Sequence, residues 1–199
     1  PDHLHARERV PDLVGEARGH LAQGRQPIAQ TVPFAAALDR GEVAEEDGRA
    51  AQAAGGFAPQ DDDPVGSYDL SLAAISPRLF EALEQDIGMR VWPVIRQWWP
   101  IVDYHGLRDA FVIHYAMGEQ EELRLHHDVA QVSASIKLNN GYEGAELEFP
   151  RQNFTNADVP VGSLIVWPSL VTHPHASRPL VSGEKFSLTI WCELPLAID

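Results

Sequence analysis

A mainly β fold with N-terminal helices, the helices packed on a β-sandwich, is what this sequence predicts, on three observations. The character of the chain changes near residue 100, from helical and irregular to short strands punctuated by turns. Just before that change, Ser76 to Trp99 carries one long apolar stripe at helical spacing. After it, five segments are rich in β-branched or aromatic residues, or alternate apolar with polar. At 199 residues the chain suits one domain. We therefore expect a single unit over 1–199, with 1–100 helical or irregular and 101–195 forming the β core.

Pro11 to Gln23 reads as a helix, with Pro near its first turn, Leu13, Val14, Ala17 and Leu21 at helical spacing, and Gly24 as a stop. Glu42 to Ala54 is rich in alanine and acids and ends at Gly55-Gly56, the mark of a second helix. Gly55 to Ser67, with three aspartates and two prolines, reads as an exposed loop. For the long helix, Ser76 caps, Pro77 fits the first turn, and Leu79, Phe80, Leu83, Ile87, Val91, Val94, Ile95 and Trp98 form the stripe. Pro93 lacks a backbone donor and should kink or split it. The strands expected are Phe111 to Met117, Val132 to Leu138, Ala145 to Phe149, Gly162 to Trp167 and Lys185 to Glu193, with turns at Asn139-Asn140-Gly141 and Glu143-Gly144. Strands this short and this evenly spaced imply an antiparallel sandwich or barrel.

Charge narrows the function. The net charge is −14, with 15 Lys and Arg against 29 acids, which argues against a grip on nucleic-acid phosphates. No run of eighteen apolar residues exists, so no membrane-spanning helix is expected. The single cysteine, Cys192, forms no disulfide within the chain, and a reducing cytoplasm is the expected compartment. Oligomeric state is not legible. Trp98, Trp99 and Trp167 read as core packing rather than pocket walls, and Cys192 as a buried thiol.

The chemistry concentrates in two places. His126-His127-Asp128 ends one strand-like stretch, and Thr172-His173-Pro174-His175 follows another. Residues i and i+2 on extended backbone point the same way, so His126 and Asp128 can reach one metal. A distant histidine would complete two imidazoles and a carboxylate on one face, leaving positions open, an arrangement suited to non-haem Fe(II). His-x-Asp alone is a weak signal. Lys185 strengthens it: ten positions after His175, it opens a strand whose same-face residues are Ser187, Thr189 and Trp191. Phe186, Leu188, Ile190 and Cys192 have the other parity and should face packed protein. A lysine on the inner face of a sandwich is costly unless it meets an anion, such as the far carboxylate of a bound dicarboxylate. Tyr115, inward on the strand before His126, is placed to add a hydrogen bond to that group.

The stretch Phe111 to Trp191 resembles the catalytic domain of Fe(II)/2-oxoglutarate dioxygenases of the prolyl and lysyl hydroxylase group. The likeness to procollagen lysyl hydroxylases lies in Tyr115, Glu119-Gln120, Leu123-Arg124, His126-His127-Asp128 and Leu138-Asn139. Tyr142 to Phe149 is similar to the family's YEGGxLxF turn, with Ala145 in place of a usual glycine, and Thr172 to Lys185 matches the second-histidine segment, including Pro179 and Gly183. Residues 1–100 contribute nothing to the resemblance. It implies a double-stranded β-helix, a cupin-like jelly roll flanked by helices. It implies His126, Asp128 and His175 as iron ligands, Lys185 as the anchor of the 2-oxoglutarate tail, and Tyr115 and Thr189 beside it. Ser135 stands near the cosubstrate where lysyl hydroxylases carry an asparagine. The anchor is a lysine rather than an arginine, a point charge in place of a fork.

His173 competes with His175, and the spacing to Lys185 favours His175. His127 is expected outside the metal shell; His114, of opposite parity to Tyr115, and His105, in a loop, are expected to play no part. The resemblance implies Fe(II), 2-oxoglutarate and O2 as requirements, with ascorbate as a supporting reductant. The expected reaction is hydroxylation of an unactivated C–H bond of an amino acid, peptide or specialised metabolite, with succinate and CO2 as co-products. Asp128 favours hydroxylation over halogenation, since related halogenases lack that carboxylate; desaturation and ring closure run by the same route. The aspartates Asp61 to Asp63 are candidates to attract a basic substrate. The alternatives are a zinc-dependent hydrolase, which would not need Lys185, and a non-catalytic jelly-roll binding module, which would not need the metal ligands.

Overall fold

The structure is a computed structural model that describes residues 29–33, 56–59, 66–169 and 172–194. The expected helices Pro11 to Gln23 and Glu42 to Ala54, and most of the Gly55 to Ser67 loop with its aspartates, lie outside the described residues.

Two antiparallel sheets carry the fold. The larger, seven-stranded, runs β1 (Ala29–Pro33), β10 (Ser163–Pro168), β6 (Val132–Lys137), β13 (Glu184–Cys192), β4 (Leu107–Ala116), β3 (Tyr68–Ser71) and β2 (Ala58–Pro59). The smaller, four-stranded, runs β5 (Leu123–His126), β11 (His175–Ser177), β8 (Leu147–Phe149) and β9 (Phe154–Thr155). A short ribbon pairs β7 (Glu143–Gly144) with β12 (Leu180–Ser182).

The five expected strands are present, each with ends shifted by a few residues. Two expectations differ in kind: the stretch before residue 100, expected to be helical or irregular, contributes β1, β2 and β3 to the large sheet, and Glu143-Gly144 is expected as a turn. Gly144 (φ 79°) and Ala145 (φ 53°) do adopt left-handed, turn-forming backbone, but Glu143–Gly144 also pairs with β12. Gly144 is obligatory there, because a Cβ would lie 2.3 Å from the Pro179 carbonyl oxygen.

The long helix begins and breaks where its prolines dictate. Helix α1 (Leu72–Ile75) and helix α2 (Pro77–Asp86) meet at Ser76, a π-helical turn spans Ile87–Val91, and helix α3 (Trp92–Trp98) follows. Pro93 has no N–H for the carbonyl four residues back, and the turn preceding it widens. The apolar stripe holds across the break. Leu83, Ile87, Val91 and Ile95 are buried together with Ile136, Leu164, Val166, Leu188 and Ile190 of the large sheet. Each such aliphatic side chain contributes roughly 1.5–3 kcal/mol through burial. Trp98 and Trp99 pack at the margin of this layer, as expected of core residues. The helices thus seal one face of the large sheet, and its other face turns toward the small sheet.

Candidate metal and cosubstrate site

A cavity of about 300 Å³ lies between the sheets, and its floor is the inner face of β13, β4, β3 and β6. Strand alternation decides who lines it. Lys185, Ser187, Thr189 and Trp191 face the cavity, whereas Leu188, Ile190 and Cys192 are buried on the helix side. On β4, Asp109, Phe111, Ile113 and Tyr115 line it; Ser135 reaches it from β6, paired with Thr189.

The far wall comes from the small sheet, where β5 and β11 pair with His126 opposite His175. Asp128 follows in the loop toward β6. One ligand atom from each of His126, Asp128 and His175 lies within 4.8 Å of the others. His126 Nε2 is 3.4 Å from Asp128 Oδ1, and His175 Nε2 is 3.5 Å from Asp128 Oδ2. Each imidazole uses its other nitrogen on a backbone carbonyl: His126 Nδ1 donates to Arg124 (2.8 Å) and His175 Nδ1 to His173 (3.1 Å). A carbonyl only accepts, so both Nδ1 atoms carry a proton and both Nε2 atoms are turned to Asp128. Asp128 is 7% exposed, and its Oδ2 has no hydrogen-bond partner. Burial pushes its carboxyl up, but His126, His175 and Ser133 outweigh that and hold it well below the usual carboxylate range. Two imidazole Nε2 atoms and a buried carboxylate gathered within one coordination sphere form a set that a divalent cation completes, so the residues fit Fe(II).

His173 does not join them. It is fully buried, its Nδ1 is 2.9 Å from Thr172 Oγ1, and burial together with the neighbouring His175 pushes it down to about 4. His127 is exposed at the cavity wall, and His105 is exposed. His114 is stacked on Phe186 on the outer face of the sheet. Trp167 differs from its expectation in part. It is core-packed at 1% exposure, yet it also lines the cavity, edge-on to His175 at 4.9 Å.

Lys185 is 3% exposed. Its Nζ donates to the Ala145 carbonyl (2.7 Å) and to Ser177 Oγ (3.3 Å), and lies 4.3 Å from the centre of the Tyr115 ring. The left-handed Ala145, at the position where the resemblance expects glycine, is what presents that carbonyl. Ser177 Oγ donates in turn to the Tyr115 hydroxyl (2.9 Å). No carboxylate bonds to Lys185 among the described residues, and burial pushes its ammonium down to about 7, with Glu146 opposing and Lys137 adding to the effect. Burial likewise pushes Tyr115 up to about 12. A buried cation with only neutral partners beside a metal-binding triad fits a dicarboxylate.

Ser177 was not singled out in the sequence, although the i, i+2 reasoning that joined His126 to Asp128 applies equally to His175 and Ser177 on β11. The opposite end of the cavity was also unforeseen: Asp69, Arg108 and Asp109 line it. No local motif marks them; the pairing of β3 with β4 brings them in.

The fold and site together fit a 2-oxoglutarate-dependent dioxygenase, and comparison with known proteins points the same way. Residues 110–193 match the profile of the 2OG-Fe(II) oxygenase superfamily. The relatives found support a likeness to the prolyl/lysyl hydroxylase group. The chain is 34% identical over 79 residues to the multifunctional procollagen lysine hydroxylase and glycosyltransferase of Caenorhabditis elegans, covering 38% of this chain and 11% of that protein. It is 28% identical over 100 residues to human 2-oxoglutarate and iron-dependent oxygenase domain-containing protein 2, covering 41% and 25%. The chain thus spans about a tenth of the lysine hydroxylase. In fold it is similar to a prolyl-4-hydroxylase from Pseudomonas putida (TM-score 0.62, 22% identity, covering 92% of this chain and all of that one). It is similar also to a Trichoplax adhaerens prolyl hydroxylase solved with a hypoxia inducible factor peptide fragment (TM-score 0.60, 16% identity, 94% of each). These neighbours show the double-stranded β-helix fold. The family's requirements are Fe(II), 2-oxoglutarate and O2.

Proposed function

We infer that this protein hydroxylates an unactivated C–H bond of an amino acid, peptide or specialised metabolite. The observation that carries the reading is the convergence of His126, Asp128 and His175 in one cavity with a buried lysine that has no carboxylate partner among the described residues. The three would hold Fe(II), and Lys185, with Tyr115 and Ser177, would bind the distal carboxylate of 2-oxoglutarate; Thr189 and Ser135 line the same cavity. When bound, Fe(II) would activate O2, the oxidant, with 2-oxoglutarate giving two of the four electrons as it leaves as succinate and CO2 and the substrate C–H bond giving the other two. The chain's own residues have narrower tasks. Arg124 and His173 carbonyls fix the imidazole tautomers, Asp128 stays ionised, and the helix-backed sheet keeps the floor dry and rigid. A peptide substrate is favoured by the Trichoplax neighbour, solved with a peptide fragment. The buried, free Cys192 suits a reducing cytoplasm.

The test is an anaerobic titration of metal-free protein with Fe(II) and 2-oxoglutarate, followed by the weak visible charge-transfer band of the chelate. A saturable band that fades on adding O2 and a substrate supports the reading. Its absence in folded protein would move the zinc-hydrolase and binding-module readings forward. Zn(II) should inhibit turnover by the oxygenase, whereas it would sustain a hydrolase.

A further inference from the structure

Lys185 sits where its strand loses a neighbour. Ser187 to Trp191 of β13 pair with β6 on one side, but β6 ends at Lys137, opposite Ser187. One further backbone bond, from the Leu138 amide to the Phe186 carbonyl (3.2 Å), carries the ladder past that point. At Lys185 itself the paired strand is β4 alone, through Tyr115, and the left-handed Gly183 lies two residues away. A strand end paired on one side opens more readily than the middle of a sheet.

Asn139, expected only as a turn residue, takes the place of the lost strand. Its Oδ1 accepts from the Phe186 amide (2.7 Å) and its Nδ2 donates to the Glu184 carbonyl (2.8 Å). An N–H and a carbonyl as partners fix which way round the side-chain amide lies. One side chain thus makes both bonds that another residue of β6 would make, to the two residues flanking Lys185. The same loop meets β13 and its turn twice more. A Cβ on Gly183 would come within 2.4 Å of the Gly141 carbonyl oxygen, and the Ala145 carbonyl accepts from the Lys185 ammonium. Asn139 is not among the residues lining the cavity, so any effect it has on a bound molecule passes through β13.

We propose that Asn139 is a positioning residue for the cosubstrate: by completing the ladder on both sides of Lys185, it holds that ammonium where it meets the distal carboxylate of 2-oxoglutarate. The inference rests on the Fe(II)/2-oxoglutarate reading above and adds to it a residue outside the cavity. A lysine offers a point charge on a flexible stem, so its aim depends on how firmly its backbone is held.

The experiment compares the unaltered protein with Asn139→Ala, Lys185→Ala and the double variant under nitrogen. Fe(II) affinity is read by iron quantitation after equilibrium dialysis, and 2-oxoglutarate affinity by the chelate band. Asn139→Ala should raise the 2-oxoglutarate dissociation constant about three- to tenfold. Its Fe(II) affinity should stay within about twofold, and in the Lys185→Ala background it should change the 2-oxoglutarate constant by less than about twofold. Should Asn139→Ala not fold, Asn139→Asp, which keeps the acceptor for Phe186 and loses the donor to Glu184, takes its place under the same criteria. An unchanged 2-oxoglutarate constant, an equal loss with and without Lys185, or a parallel loss of Fe(II) affinity overturns the proposal. If the band forms in the unaltered protein, only this inference falls; if it does not form there, the iron reading falls with it.

Discussion

Lys185 and the two neighbouring histidines show how much a single side chain's surroundings decide. His173 and His175 are both buried and two residues apart, yet only His175 presents Nε2 to Asp128. We expect His175→Ala to abolish iron-dependent turnover and Fe(II) binding, and His173→Ala to keep most of both. Iron quantitation after desalting checks this, and the reverse pattern would move the ligand to His173. Lys185→Ala should mainly weaken 2-oxoglutarate binding, raising its KM tenfold or more with a smaller change in kcat. An unchanged KM would assign the anchor elsewhere. Ser177→Ala removes the hydrogen bond donated to the Tyr115 hydroxyl and the long one accepted from the Lys185 ammonium, so its effect on the same KM should be about three- to tenfold. The three metal-site residues were legible because i, i+2 spacing and a fixed offset are local facts. Asp69 and Asp109 were not, since only the pairing of strands distant in sequence brings them to one cavity.

At the scale of elements, the sequence spoke clearly wherever a pattern ran long enough to repeat. The stripe from Leu83 to Ile95 survives the π-helical turn, because the helix layer needs those side chains on the sheet whatever the local hydrogen bonding. Strands β5 and β11 have four and three residues, too few to show alternation, and β11 went unpredicted although it carries His175. Their stability comes from pairing with each other across fifty residues of chain, which no local window sees. The β7–β12 ribbon depends on a single close approach. Gly144→Ala should destabilise the protein by more than about 2 kcal/mol, from left-handed strain plus the clash with Pro179, read as a lower urea midpoint. It should also loosen Lys185, because the Ala145 carbonyl that holds it is the next residue.

For the whole molecule, the buried ammonium sets a pH dependence. The unfolded chain holds the Lys185 proton up to its ordinary value of 10.5, the folded chain only to about 7. Between those values unfolding takes up a proton, so stability rises with pH. Above pH 9 the trend is opposed by Cys192, which burial pushes up to about 12. Cosubstrate-free protein should therefore gain stability from pH 7 to 9 in denaturant titrations. Fe(II) and 2-oxoglutarate under nitrogen should flatten the slope by keeping Lys185 charged; a flat profile without them would mean the ammonium is solvated. The β half of the architecture was readable because alternation and turns are written residue by residue. The expected helices before residue 56 lie outside the described residues. One consequence follows from strand β13, which serves the helix layer with Leu188, Ile190 and Cys192 and the cavity with Lys185, Ser187, Thr189 and Trp191. It works as a reading frame of two: inserting or deleting one residue within it would send Lys185 into the apolar layer and leucine into the cavity. Length changes can be absorbed only in the loops at its ends, and a pair of compensating single-residue changes inside the strand would restore function as a second frameshift restores a gene.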